Sequence, residues 1–111
     1  MAQDLRIDSH KLIYHPDRVA EWLEGKQVYP ITVEISPAGS CNHRCSFCAF
    51  DYLGYKPAFL EEYLLEKNLD IMAQKGVRAI VVAGEGEPLL NRAAPKIIQY
   101  IKQAGMDASL V

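Results

Sequence analysis

Apolar residues recur along this chain in two periods that alternate from one end to the other. Asp17 to Gly25 follows Pro16 with Val19, Trp22 and Leu23 at helical spacing, and Gly25 offers a C-terminal stop. Ile31 to Ser36 alternates and is β-branched, which predicts a strand punctuated by Pro30 and Pro37. Leu60 to Gly76 predicts a helix with Leu65, Leu69 and Met72 on one face. Ala79 to Ala83 is short and continuously apolar, as in a parallel strand buried on both faces. Asn91 to Gly105 carries a stripe of Ala94, Ile97, Ile98, Ile101 and Ala104, and Ala108 to Val111 opens a third strand.

Strand, helix, strand, helix, strand is a βαβαβ unit, with parallel strands and right-handed crossovers. The fold class expected is α/β, the N-terminal portion of a parallel (β/α) partial TIM barrel. Residues 29–111 would form that portion, and residues 1–28 an N-terminal extension with a short helix. Two or three parallel strands leave unpaired edges and cannot close a barrel. The chain is therefore expected to be the first part of a larger domain, not a complete 111-residue protein dimerising through its edge.

Composition narrows the setting. Half the residues are hydrophobic and 23% are charged, so the chain is globular, and 111 residues suffice for one small core. The formal net charge is −2 without a basic patch, which gives no support to nucleic-acid binding. Met-Ala-Gln-Asp-Leu-Arg has an early acid and no apolar run, and no stretch is long enough to span a bilayer. A soluble, reducing, cytoplasmic setting with no membrane partner follows as the expectation.

Chemistry concentrates in one short run. Cys41, Cys45 and Cys48 are the only cysteines and lie within eight residues. Thiolates so close together can wrap one metal centre, and soft sulfur ligands select iron–sulfur clusters or zinc. An odd count argues against disulfides. A Cys3His zinc site with His43 is the main competitor, yet His43 sits inside the cysteine loop and closes a tetrahedron poorly. A cubane held by three thiolates leaves one iron open. The second loop, Gly84-Glu85-Gly86-Glu87-Pro88, directly follows the second strand. Its glycines allow close backbone approach, and Glu87 offers a carboxylate. It lacks the spacing of a dinucleotide or phosphate loop. Both loops fall at the carboxyl ends of strands, on one rim.

Cys41-x-x-x-Cys45-x-x-Cys48 with Phe47 before the last cysteine, followed by Gly-Glu-Pro after a second strand, resembles the radical S-adenosylmethionine (radical SAM) superfamily. The resemblance runs from about Ile31 to the C-terminus. It implies a 4Fe–4S cluster on the three cysteines, with SAM chelating the fourth iron. An electron from flavodoxin or ferredoxin would cleave SAM to methionine and a 5′-deoxyadenosyl radical that abstracts hydrogen from substrate. Glu87 and the backbone of Gly84, Glu85 and Gly86, stiffened by Pro88, would hold the SAM ammonium, and the backbone at Phe47 would border the adenine. Where members commonly have Gly-Gly-Glu-Pro, Glu85 here separates the glycines. Gly-x-Gly-Glu-Pro-Leu-Leu is similar to the loop of radical SAM adenine methyltransferases of RNA, which use further cysteines. The alternative is a non-catalytic iron–sulfur electron-transfer or zinc-binding module, which needs a fourth protein ligand. The aromatic run from Phe50 to Pro57 reads as loop packing, cluster shielding or substrate contact, and His10, His15 and His43 as surface or capping residues.

Overall fold

Three strands pair side by side in the order in which the chain makes them: β1 (Thr32–Ile35), β2 (Ala79–Val82) and β3 (Asp107–Leu110), all parallel. This is seen in a computed structural model that describes residues 11–111. Parallel neighbours require a crossover, and two helices supply them. Helix α3 (Glu62–Gln74) links β1 to β2, and α4 (Ala94–Gln103) links β2 to β3. Two shorter helices complete the set: α1 (Pro16–Leu23) before the sheet and α2 (Ala49–Leu53) within the cysteine-bearing connection. The chain has the α/β architecture expected, an open sheet consistent with part of a barrel.

Register explains where the core lies. Val33 pairs with Ile80 and Ile35 with Val82, so these side chains share one face of the sheet. Leu65 and Leu69 of α3 and Ile97 and Ile101 of α4 pack on that same face. Leu69, Ile80, Ile97 and Ile101 are fully buried. Both crossover helices therefore cover one side of the sheet. The opposite face carries Thr32, Glu34, Val81 and Ser109, of which Glu34 and Ser109 are exposed. A barrel wall divides its faces this way, with helices outside and a lumen within.

Several boundaries differ from expectation. The third helix begins at Ala94 and not at Asn91, because Pro88–Leu90 forms a 3₁₀ turn and Asn91 and the two residues after it turn the chain first. Pro95 in its first turn needs no hydrogen-bonded N–H, so it marks the true start. Helix α2 was not expected at all; five residues carry too little periodicity to announce a helix. Helix α1 forms, but none of its residues is buried, and Trp22 remains 64% exposed. It is fastened by polar contacts instead: Arg18 donates from Nη1 to the Tyr29 carbonyl (2.6 Å) and from Nη2 to the Gly76 carbonyl (3.0 Å). Gly76 has φ +96°, and a Cβ there would strike the Arg18 guanidinium. The first ten residues of the extension, His10 among them, lie outside the described residues.

Candidate functional site

The connection from β1 to α3 is a stem with a cap. At its base Ala38 bridges antiparallel to Phe59, Leu60 donates its N–H to the Pro37 carbonyl (3.0 Å), and Gly39 donates to Ala58 (2.6 Å). Gly39 is required by this closeness, since a Cβ would sit 2.7 Å from the Lys56 carbonyl oxygen. The stem lifts residues 41–56 above the carboxyl end of β1. All three cysteines are in this cap, with Cys41 and Cys48 half-buried and Cys45 exposed.

Around the thiols the polar contacts are local. Cys48 is the residue preceding α2, and its N–H donates to the Cys45 carbonyl (3.0 Å), which makes a tight turn between two of the three sulfurs. The His43 N–H donates to Cys41 Sγ at 3.4 Å, and Tyr55 Oη lies 3.3 Å from Cys48 Sγ. That phenol, followed by backbone contact at Asp51, lowers the Cys48 pKa from the usual thiol value. The Tyr55 pKa is raised in return, first by Cys48, then by burial and more weakly by Cys41. Arg44 donates from Nη1 to the carbonyls of Cys41 (3.1 Å) and His43 (2.7 Å). Its Nε is 3.4 Å from Asp51, and the guanidinium lies 5.9 Å from the Tyr55 ring centre. The loop thus places a positive charge and two hydrogen-bond donors around its sulfurs.

The glycine-rich loop reaches the same rim from β2 and is pressed onto the first loop. The Glu85 N–H donates to Ser36 Oγ (3.1 Å), and the Glu87 N–H to the Ser40 carbonyl (2.9 Å). Gly84 has φ +101°, and a Cβ there would collide with the Ser36 side chain; at Gly86 it would collide with the carbonyls of Ser40 and Ala38. The space these glycines leave is therefore filled by the cysteine-bearing connection. Glu87 Oε1 accepts from the Leu89 N–H (3.0 Å), capping the 3₁₀ turn that buried Pro88 begins, and Oε2 lies 3.9 Å from His43 Nδ1. Glu85 is exposed at the lip, and Phe47 is 90% exposed. The two loops predicted from sequence are brought together, within reach of one another through His43 and Glu87.

Sequence reasoning missed the residue that joins them. Asn91 is only 6% exposed. Its Nδ2 donates to the carbonyls of Pro37 (2.9 Å) and Leu60 (3.0 Å), and its Oδ1 accepts from the Ala93 N–H (2.9 Å). An asparagine just before a helix signals a cap. Nothing in the sequence signals contacts with residues 54 and 31 positions away.

What could this rim hold? Among the described residues no three His, Cys, Asp or Glu side chains converge tightly enough for a single metal ion. A cubane makes a different demand, because each thiolate binds its own iron. Three thiols in one short irregular loop, with a backbone N–H on Cys41 and a phenol beside Cys48, suit that donor set. The profile described as the Radical SAM superfamily matches residues 35–110. The chain belongs to the radical SAM superfamily. It is similar over 102 residues, at 31% identity, to a 7-carboxy-7-deazaguanine synthase of Rhodopirellula baltica, covering 92% of this chain and 38% of that protein. A "probable dual-specificity RNA methyltransferase RlmN" of a Synechococcus species is 32% identical over 82 residues, 72% of this chain and 23% of its own length. An S-adenosylmethionine-dependent nucleotide dehydratase of Lacinutrix mariniflava is 37% identical over 76 residues, 64% of this chain and 16% of its own. The chain thus spans well under half of each of these radical SAM relatives. No helix among the described residues is long and apolar enough to cross a membrane.

Proposed function

We propose that this chain is the cluster- and SAM-binding portion of a radical SAM enzyme. Cys41, Cys45 and Cys48 hold a 4Fe–4S cluster, and Glu87 with the backbone of residues 84–86 receives the SAM ammonium. One observation carries the reading: the connection that bears three thiols and no fourth cysteine is hydrogen-bonded, through Ser36 and Ser40, to the glycine-rich loop on the same strand ends. When bound, the cluster supplies an electron that splits SAM into methionine and a 5′-deoxyadenosyl radical, which takes hydrogen from substrate. The protein's share is placement. The stem fixes the sulfurs, the Cys45–Cys48 turn sets their spacing, and His43, Arg44 and Tyr55 surround them with donors and positive charge. Glu87 keeps Oε2 toward the cysteine loop while Oε1 anchors it to Leu89.

The relatives' names describe a synthase, a methyltransferase and a dehydratase. A portion shared by three such different reactions carries the step they have in common, and substrate choice belongs elsewhere in the protein. Electrons come from a flavodoxin or ferredoxin in a reducing cytoplasm, where these thiolates escape oxidation. The test is anaerobic loading of the full-length protein with iron and sulfide, then dithionite and SAM. 5′-Deoxyadenosine is the expected product, and Cys45→Ala should abolish it. A loaded protein that shows a fourth protein ligand and yields no 5′-deoxyadenosine is an electron carrier, and the proposal fails.

A further inference from the structure

Every polar atom of Asn91 is engaged, and each engagement ties a different piece of the rim. Its backbone N–H closes the 3₁₀ turn on the Pro88 carbonyl (3.1 Å), and its carbonyl receives the Ala94 N–H (2.9 Å) at the start of α4. Its two amide hydrogens go to Pro37 and Leu60, the two legs of the cysteine stem. The backbone of one residue therefore ends the turn that Glu87 caps, while its side chain clasps the connection bearing the thiols. Only a short primary amide serves here. An aspartate would set a buried oxygen against two carbonyl oxygens, and alanine would leave both carbonyls without this donor. Ser36 adds a second tie at the other end of the glycine-rich loop, accepting from the Glu85 N–H.

We infer that Asn91 and Ser36 form a polar latch that sets the distance between the cysteine loop and the SAM-receiving loop. Neither would touch SAM or the cluster, so both are positioning residues. This rests on the radical SAM reading above. Its specific consequence is a split between two properties that a general loss of stability would change together. Without the latch the three thiols still belong to one continuous loop and still assemble the cluster. Glu87 is then held beside the cysteine loop only by its N–H bond to Ser40 and its approach to His43, and SAM binding weakens.

The experiment uses the full-length protein, loaded anaerobically and reduced with dithionite. SAM is titrated against the change it causes in the cluster's electron paramagnetic resonance spectrum, beside iron and sulfide per chain and thermal melting. Asn91→Asp and Asn91→Ala are expected to keep the wild-type iron content and to need roughly tenfold more SAM for half the spectral change, the effect of about 1.4 kcal/mol. Ser36→Ala, which leaves the buried contacts in place, should shift the same titration by a smaller factor with unaltered melting. Should the Asn91 variants fail to fold, Ser36→Ala decides alone. Wild-type titration curves in the folded variants overturn the latch, as does loss of cluster in step with melting temperature. A wild-type cluster that does not respond to SAM at all overturns the radical SAM reading and the latch with it.

Discussion

A phenol 3.3 Å from a thiol is a small feature with a defined electrical consequence. Reduction adds negative charge to a cluster, and a hydrogen bond to a ligating sulfur favours the more negative form. Tyr55 is placed to donate such a bond to Cys48, while Arg44 lies over its ring and holds the Cys41 carbonyl. On the proposed function, Tyr55→Phe removes the donor and little else. The midpoint potential of the loaded protein should fall, on the order of tens of millivolts, the scale of one hydrogen bond acting on a one-electron couple. Redox titration followed by paramagnetic resonance measures it. A potential equal to wild type would show that the hydroxyl does not reach the sulfur once the cluster is bound.

Elements were more legible than the joints between them. The stripes of α3 and α4 announced themselves because Leu65, Leu69, Ile97 and Ile101 recur at helical spacing and must be buried together. The continuous run of β2 was legible for the same reason, since it is buried along nearly its whole length. The cysteine spacing and the glycine-rich loop were legible as local motifs, and the topology put both on one rim. Asn91, Ser36 and Tyr55 were not, because each acts through individual polar contacts that leave no periodicity. A similar contact joins the two crossover helices. Tyr100 donates to Glu62 Oε1 (2.9 Å), and Lys96 Nζ lies 3.2 Å from the same oxygen. These hold the Glu62 carboxyl below its ordinary value of 4.5, with Tyr100 the larger influence. A depressed carboxyl contributes stability above its unfolded value and loses it as pH falls through the folded one. Glu62→Gln should therefore melt below wild type at neutral pH, and the gap should close as the solution is acidified past 4.5. The pair is substantially solvent-exposed, so the gap is small and shrinks with added salt. A gap that persists unchanged in acid would mean that the hydrogen-bond geometry matters, not the charge.

At the scale of the whole molecule the sheet assigns different work to its two faces and its rim. The face bearing Ile35, Ile80 and Val82 lies beneath α3 and α4 and supplies the core. The other bears Glu34 and Ser109, exposed, and Val81 between them in register. Neighbouring residues on one strand therefore differ sharply in what they hold up. Ile80→Ala should leave a cavity among fully buried neighbours and cost about 2–5 kcal/mol. Glu34→Ala, on the open face beside the thiol-bearing rim, should alter stability by no more than about 0.5 kcal/mol. Urea denaturation of the two variants compares them directly. Equal losses would require both faces to be covered in this chain, and the inner wall of a barrel would then be the wrong description of the Glu34 face. The expected inequality follows from one-sided helix packing. It leaves a polar wall beneath the strand ends, where the cysteine and glycine-rich loops meet.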